Sequence, residues 1–561
     1  MRTTNMNKMT SAARLLLASV VALWLAAAAH AAAPGINGTD GTVGTFNLTA
    51  QAAFLTQPDG QAVYSWGYGC VAAPPAARFV PSNLSITPFC GTMQVPGPTL
   101  VVTEGTTVTV NLTNNLPLSA GNTSIIFTGF TLTGTTGGVA GLVTQEAAPG
   151  GSVQYQFTAS TPGTHAYYSG SQSDLQVEMG LYGAIIVLPK TVPANCTAGS
   201  SGSTSLGFAG GNGTAESHWS EKDYRLTSAA YDNAKTCYDR EYLFQFSEMD
   251  PTIHKKAEQQ VATAAAACTA NGANGQGCSL EVPTEPYHPA YFLINGRSMP
   301  DDMDPNYAAE YPHQPYNGDP HMHPGEQVLI RVIGQGRWQH PFHEHGNHVR
   351  ILGRDGNLIL APDGTDLAGP LFFTTTTTPG LAFDGIYYWT GRGLNWDAYG
   401  HEKLSSTSDP NATLTCVPDA NGYYTSDPTA LNYYEWCQDH DKPLEVSPFG
   451  DVASGGPATL PDPNLFTNGP WYSGSPYLGP DATSRATFGT CSGSNNTTAC
   501  STSGTTPPSG TIANSPSSEA GYAFMWHSHN EREITTNNIF PGGMLMMMLV
   551  DSREFVIDET N

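Results

Sequence analysis

The stretch "PTLVVTEGTTVTVNLTNNLP", residues 98–117, decides the fold class of this chain. It places two runs rich in Val and Thr, residue types that favour strands, on either side of a Glu-Gly turn. Farther along, "GSVQYQFTA" alternates apolar and polar residues, and "GLYGAIIVLP" (180–189) is almost wholly apolar, as expected of a buried strand. Residues 43–190 are therefore predicted to form one antiparallel β-sandwich.

A second set of strand patterns follows, beginning at "REYLFQFSEMD" (240–250). Further runs of this kind are "AYFLING" (290–296), "GEQVLIRVIGQG" (325–336) and "GLAFDGIYYWTG" (380–391). Between them, "KKAEQQVATAAAA" (255–267) has the composition of a short helix. These patterns predict a second β-sandwich that is interrupted by one helical excursion.

Composition sets the boundaries between the two sandwiches. Residues 191–238 are rich in Gly, Ser and Thr, which is typical of a linker. Residues 392–520 are rich in Pro, Ser and Asn, and a structureless loop of that length is unusual, so we interpret them as an insertion with local turns. The second sandwich then comprises residues 239–391 plus 521–555. The predicted fold is all-β, with two sandwiches and a long insertion in the second.

The first 31 residues have the features of a secretory signal peptide. Arg2, Lys8 and Arg14 give a basic start, an apolar run "LLLASVVALWLAAAA" follows, and "AHA" offers a small-residue cleavage site after Ala31. The run is short for a membrane span, and nothing later in the chain approaches its length. A secreted or periplasmic protein without a membrane span is expected.

Charge and cysteine content agree with an exported protein. The chain has 22 Lys and Arg against 47 Asp and Glu, a net charge of −25, which disfavours nucleic acid and anionic membranes as partners. Ten cysteines suit an oxidising compartment. Pairing sequence neighbours is the simplest of the connectivities that they allow: Cys70/Cys90, Cys196/Cys237, Cys268/Cys278, Cys416/Cys437 and Cys491/Cys500.

Two histidine-rich strands predict a metal site. In "HPFHEHGNH" (340–348) and in "WHSH" (526–529), histidines recur two residues apart, so that each pair shares one face of its strand. If the strands are neighbours, cross-strand Cβ distances of roughly 5 Å bring the imidazoles together. Imidazole is a ligand for Cu, Zn, Fe and Ni. The predicted ligands are His343, His345, His527 and His529, with His340 ahead of Pro341 near the strand's edge; the alternative is a set of ordinary surface or core histidines.

Weaker candidates lie nearby. "HMHPGE" (321–326) holds a third His-x-His pair, but its Pro-Gly turn favours loop surface. Met544 follows a Gly-Gly pair and offers a thioether, although core packing is the usual role of such a residue. Glu531 and Glu533 are candidates for proton transfer or for binding a cation, or are solvated charges of a turn.

Taken in order, several segments resemble the multicopper oxidases, which are built from cupredoxin-like Greek-key β-sandwiches. "QVPGPTLVVTEGTTVTVNLTNNLP" is similar to that family's first-domain opening, and "HPFHEHG" to its His-Pro-x-His-x-His-Gly motif. "WHSHNE…PGGMLMMMLV" is similar to its His-x-His closing strand. The resemblance implies copper as the cofactor. In the family a type 1 copper, held by two His, one Cys and often a Met, accepts electrons, and a cluster of three coppers held by eight His reduces oxygen.

Carried over residue by residue, the resemblance is incomplete. His343, His345, His527 and His529 match four of the eight cluster ligands, and His340 matches a type 1 histidine.

The remaining ligand positions hold other residues. The first-domain positions align with Ile126, Thr128, Tyr168 and Gly170, and Ser528 stands where the type 1 Cys belongs. A further type 1 histidine aligns near Glu533. The complete four-copper machinery is therefore not expected.

Three hypotheses for function remain. The first is an exported oxidoreductase with a reduced, histidine-only copper site that takes a small reductant or a metal ion such as Mn(II) or Fe(II). The second is a copper-binding or copper-storage protein without catalysis, and the third is a structural extracellular module.

Overall fold

The computed structural model describes residues 33–39, 43–81, 90–196, 225–392, 417–426, 434–438, 520–551 and 557, together with the placement of three short strands, Ala29–His30, Lys222–Asp223 and Gly474–Leu478. No helix in these parts of the chain is both long and apolar enough to cross a membrane.

The strands of the first half of the chain lie close together in sequence, and the longest of them, β3, has 14 residues. They are β1 (Ala29–His30), β2 (Gly35–Asn37), β3 (Val43–Thr56), β4 (Ala62–Cys70), β5 (Phe79–Val80), β6 (Met93–Gln94), β7 (Leu100–Thr103), β8 (Thr107–Asn114), β9 (Ile126–Phe127), β10 (Leu132–Gly137), β11 (Val139–Ala140), β12 (Gln145–Glu146), β13 (Ser152–Thr158), β14 (Gly163–Tyr168) and β15 (Tyr182–Leu188).

The second half of the chain adds further strands. They are β16 (Lys222–Asp223), β17 (Arg240–Met249), β18 (Tyr291–Ile294), β19 (His321–Met322), β20 (Gln327–Gly334), β21 (His340–Glu344), β22 (Val349–Arg354), β23 (Asn357–Leu358), β24 (Leu371–Phe372), β25 (Thr374–Thr377), β26 (Ala382–Tyr388), β27 (Gly474–Leu478), β28 (Ala520–Ser528) and β29 (Leu545–Asp551). The α-helices are α1 (Ser173–Gln176) and α2 (Pro251–Asn271), and 3-10 turns occur at Ala76–Arg78, Leu118–Ala120, Ala194–Cys196 and Asp301–Met303.

The first sandwich consists of two six-stranded sheets. One has the order β10-β13-β8-β3-β4-β6 and the other the order β5-β2-β7-β15-β14-β9. Their inner faces pack an apolar core in which Leu48, Trp66, Val110, Phe157 and Ile185 are all fully buried. Strands between β2 and β15 thus form two sheets that pack face to face.

The Glu-Gly turn of the opening stretch joins the two sheets rather than two neighbouring strands. Gly105 has a φ of 84°, and β7 before it and β8 after it belong to opposite sheets. As a result β7 runs parallel to β15, and β8 parallel to β3. The prediction of a purely antiparallel sandwich was wrong, because strands joined across the core are free to take parallel neighbours.

The second sandwich repeats this plan and carries the histidines. One sheet has the order β18-β17-β20-β26-β22-β23, and β24 also pairs with β22. The other has the order β19-β29-β28-β21-β25, and β27 also pairs with β28. Aromatic side chains fill the space between the sheets, among them Phe244, Phe342, Trp389 and Trp526.

Helix α2 is longer than the sequence predicted. Its first turn is set by Asp250, whose carboxylate accepts a hydrogen bond from the amide of Thr252 at 2.8 Å, and by Pro251 at the first helical position. The helix ends at Gly272 and is tied to the following turn by the disulfide Cys268–Cys278. Its buried side chains, including Ile253 and Ala257, pack on the core of the first sandwich.

A buried polar cluster joins the sandwiches. Asp384 on β26 accepts hydrogen bonds from the amide and the hydroxyl of Thr164 on β14, at 3.1 and 2.5 Å. The guanidinium of Arg331 contacts Asp384 at 3.2 Å and also pairs with Glu241. The predicted linker contributes too, because the hydroxyl of Tyr231 bonds Asp384 at 2.6 Å.

Three of the five expected disulfides are confirmed: Cys70–Cys90, Cys196–Cys237 and Cys268–Cys278. Cys416, Cys491 and Cys500 lie outside the described residues, as do most of the predicted signal peptide (1–31) and most of the predicted insertion (392–520).

Candidate metal centre

Strand pairing brings the two histidine pairs together. Strand β21 pairs antiparallel with β28, and the register places His343 directly opposite His527. Because alternate residues of a strand share a face, His345 and His529 extend from the same side. The ring centroid of His343 lies 5.0 Å from that of His345, 5.4 Å from that of His527 and 4.6 Å from that of His529.

Three of these imidazoles form a compact, buried set of ligand atoms. One ring nitrogen from each of His343, His345 and His527 lies within 4.8 Å of the others. The three side chains are only 5 to 7% exposed. His529 is different, because its side chain is 48% exposed and lies 3.4 Å from the carboxylate of Glu531. The structure therefore forms a buried trio with a fourth imidazole at its mouth.

Hydrogen bonds orient the rings of the trio. The carbonyl of Ser528 accepts a bond from Nδ1 of His527 at 2.7 Å, which fixes the proton on that nitrogen. The opposite nitrogen, Nε2, faces Nε2 of His345 at 3.3 Å. Nδ1 of His343 bonds the hydroxyl of Thr374 on β25 at 2.5 Å. Such outer contacts orient metal-binding histidines in proteins.

The surroundings keep two rings of the trio, those of His343 and His527, neutral. Burial, together with the neighbouring imidazoles of His527 and His529, lowers the pKa of His343 to about 4. Burial also lowers the pKa of His527. Neutral imidazole is the form that binds a metal, so these rings are ready as ligands at neutral pH. A set of nitrogen donors suits copper, zinc, iron or nickel, and the residues present fit copper.

His340 has other partners. Its Nδ1 lies 2.8 Å from the carboxylate of Glu533, and its Nε2 lies 2.9 Å from the carboxylate of Glu248. Burial alone opposes protonation, but the hydrogen bonds and charges of the two carboxylates raise the pKa of His340 to about 9. His340 is therefore a buried imidazolium held between two acids, and the structure does not bring it into the trio.

Ser528 joins the cluster formed by His340, Glu248 and Glu533, and Met544 contacts Ser528 through its backbone. The Ser528 hydroxyl donates to the carboxylate of Glu533 at 2.5 Å, and the Ser528 amide donates to the carbonyl of Met544 at 3.0 Å. The side chain of Met544 is fully buried in the core. Glu533 is 1% exposed. The alternative prediction for this residue, a solvated charge in a turn, was therefore wrong. Sequence reasoning missed Glu248 and Thr374, which lie on other strands and belong to no motif.

The third His-x-His pair serves the fold. His321 contacts the carboxylate of Asp551 at 2.5 Å, and Nδ1 of His323 lies 3.0 Å from the Asp551 carbonyl. His323 is fully buried and follows the short strand β19, which pairs with β29. The expectation of loop surface for "HMHPGE" was wrong, because the closing strand extends far enough to pair with it.

The first-domain positions singled out in the sequence do come together. Tyr168 on β14 pairs with Ile126 on β9, and the Cα of Gly170 lies against the Ile126 side chain. His165 is a core residue, with Nε2 at 3.0 Å from the Thr161 carbonyl, and burial lowers its pKa. This pair of strands thus presents apolar and phenolic groups at the aligned positions.

Comparison with known proteins supports the resemblance seen in the sequence. Residues 90–192 match the family model described as multicopper oxidase. Over 99 residues the chain is 39% identical to multicopper oxidase MCE of Talaromyces pinophilus, and over 96 residues it is 38% identical to copper resistance protein A of Pseudomonas syringae pv. tomato. These alignments cover 17% of this chain and 16% and 15% of the relatives.

Solved structures give a broader but looser likeness. The multicopper oxidase mgLAC aligns over 90% of this chain and 85% of its own, with 16% identity and a TM-score of 0.41. A blue copper oxidase from Nitrosomonas europaea aligns over the same shares, with 15% identity and a TM-score of 0.40. The family-model match ends before the first of the histidine strands. Members of the matched family bind copper, and the first sandwich of this chain is similar to them over residues 90–192.

Proposed function

We propose that this chain is an exported copper-binding oxidoreductase whose copper is held by imidazoles alone. The proposed ligands are His343, His345 and His527, with His529 at the mouth of the site. One observation carries the proposal: three buried imidazoles from two paired strands converge within 4.8 Å. The matched segment spans only about a sixth of the curated relatives, so their activities are not transferred whole.

Each residue of the proposed site has a distinct task. The Ser528 carbonyl and the Thr374 hydroxyl hold the rings of His527 and His343, so that their metal-binding nitrogens stay fixed. The walls of the second sandwich exclude water from the trio, whereas the exposed His529 gives access from solvent. Copper bound in such a site exchanges single electrons with a reductant.

The proposal leaves His340 out of the ligand set, although the sequence resemblance includes it. Both ring nitrogens bond carboxylates, and the protonated ring has no lone pair to offer. Its partner Glu533 receives the Ser528 hydroxyl as well. We therefore propose that this cluster replaces a type 1 copper with an ion pair and takes no metal.

Copper content tests the proposal. Full-length protein from the exported fraction should carry stoichiometric copper, and His345→Ala and His527→Ala should each lose most of it. His288→Ala, at an exposed histidine away from the trio, is the matched control. A His343→Ala/His527→Ala variant that keeps its full metal load would overturn the site.

A second candidate, copper binding or storage without turnover, is favoured by one observation. The aligned first-domain positions present Ile126 and Tyr168 in place of imidazoles, and position 528 offers a hydroxyl rather than a thiolate. Oxygen consumption with a phenol or with Mn(II) separates the two candidates. Turnover that disappears in His527→Ala supports the oxidoreductase, whereas copper-loaded protein without turnover supports storage.

A further inference from the structure

The second sandwich has a cavity on the outer face of its histidine-free sheet. The cavity measures about 340 Å³ and is lined by residues of β22 and β26, among them Arg350, Leu352, Ile386 and Tyr388. The intervening residues of the same strands, such as Val349 and Tyr387, point into the core. The cavity therefore lies behind the sheet and contains none of the proposed copper ligands.

One wall of the cavity is apolar. Leu352, Leu367, Leu371 and Ile386 line it, and Leu371 is 49% exposed at the rim. Ligand sites for small molecules typically enclose roughly 300–1,000 Å³ and are lined mainly by apolar side chains with a few polar groups. The volume here is at the lower end of that range, which suits a ligand of one or two rings.

The other lining residues include two cations, in a strongly acidic protein, and Arg350 pairs directly with Leu371 and Ile386 of the apolar wall. Arg350 and Lys235 line the cavity, and no carboxylate is among its lining residues. Lys235 is exposed and pairs with Asp366, so its charge is partly satisfied. Arg350 is the stronger feature, because no described carboxylate lies within ion-pair distance of it. The guanidinium is held by a hydrogen bond from Nη1 to the Gly369 carbonyl at 2.8 Å.

A hydrogen bond and a ring stack hold the groups beside these cations in place. The side-chain amide of Asn347 donates to the Tyr388 carbonyl at 2.8 Å. His348 stacks on Phe373 with 3.8 Å between ring centroids. An imidazole held in this way offers an edge to an aromatic ligand, and the fixed guanidinium offers donors to a carboxylate.

We propose that this cavity binds an amphipathic aromatic carboxylate, with the carboxylate on Arg350 and the ring against Leu352, Leu367 and Ile386. A protein with a net charge of −25 repels anions in general, so a local cation beside an apolar wall selects for a ligand that has both features. The inference does not depend on copper, and binding should be unchanged after removal of metal with a chelator.

Titration calorimetry with 2-naphthoate tests the proposal on the full-length protein. One equivalent should bind, and the neutral isostere 2-naphthamide should bind at least roughly tenfold more weakly, since a charge-assisted hydrogen bond is lost. Arg350→Gln should weaken 2-naphthoate by a similar factor. Arg354→Gln, on the same strand but outside the cavity, should leave the affinity within about twofold.

A second substitution guards against misfolding of Arg350→Gln. Leu371→Glu places a like charge at the exposed rim and should also weaken 2-naphthoate, whereas Leu142→Glu, at a residue 96% exposed in the first sandwich, should not. Equal binding of 2-naphthoate and 2-naphthamide would overturn the proposal. So would equal affinities in Arg350→Gln and Arg354→Gln, or the absence of binding heat at millimolar ligand.

Discussion

Ser528 determines what its strand offers to a metal. A thiolate at this position would face Glu533 rather than a second imidazole, and Glu533 already binds His340. We expect Ser528→Cys alone to show no intense blue absorption after loading with copper, because a blue copper site needs two imidazoles beside the thiolate. The double variant Ser528→Cys/Glu533→His should gain that absorption. Visible spectra of both variants check the prediction, and an intensely blue single variant would contradict it.

Thr374 supports the site without belonging to it. Its hydroxyl holds Nδ1 of His343, and loss of such an outer contact typically weakens metal binding about 10–100-fold. We expect this loss of copper affinity for Thr374→Val, measured by competition with a chelator of known affinity. Thr376→Val, two residues along β25, is the control, because both residues are exposed on one face of the strand. Equal affinities in the two variants would show that Thr374 does not support the site.

At the scale of elements, His340 ties β21 to β17 and to the turn after β28. Its pKa is raised from 6.5 in the unfolded chain to about 9, so its contribution to stability is complete below pH 6.5 and is lost as the pH rises through about 9. The shift corresponds to about 3 kcal/mol. Wild-type protein should therefore lose more unfolding free energy than His340→Gln between pH 6.5 and about 9.

Urea unfolding at the two ends of this pH range checks the prediction. His288→Gln, at an exposed position, should follow the wild type. If His340→Gln shows the same pH dependence as wild type, the ring is not held as a cation.

The strands also show which contacts the sequence can predict and which it cannot. Alternation in "HPFHEHGNH" and "WHSH" predicted which histidines share a face, and the pairing of β21 with β28 confirmed that they meet. The partner of His340 was not predictable, because Glu248 lies on a strand of the opposite sheet and no spacing relates the two residues. A pattern within one strand fixes a face, whereas contacts across the core depend on how the sheets stack.

For the whole molecule, the cluster around Arg331 is a buried polar contact between the sandwiches. Removing its guanidinium leaves the carboxylates of Glu241 and Asp384 buried without their cation. Such uncompensated burial costs about 3–5 kcal/mol. We expect this loss for Arg331→Met in denaturant unfolding. Lys255→Met, which breaks an exposed pair with Glu258, should cost under about 1 kcal/mol. Equal effects in the two variants would show that the cluster does not stabilise the chain.

The global arrangement was predicted in part. Two sandwiches and three disulfides follow from strand patterns and cysteine spacing. The sequence did not predict the parallel pairs of β7 with β15 and of β8 with β3. A Glu-Gly turn has the same local sequence whether it closes a hairpin or crosses the core. The cavity behind the histidine-free sheet could not be predicted either, since its lining combines residues from four strands, β20, β22, β24 and β26, and from three loops.

The facing nitrogens of His345 and His527 belong to residues 182 positions apart in the chain. Neither strand can assemble the trio alone, so the trio does not exist until the last strands have been synthesised and have paired. If the trio binds copper as proposed, the ion enters a folded protein and does not guide folding. A ligand that binds only the native state raises the free energy of unfolding in proportion to the logarithm of its concentration. On this proposal a chain truncated before β28 should have no site for the ion.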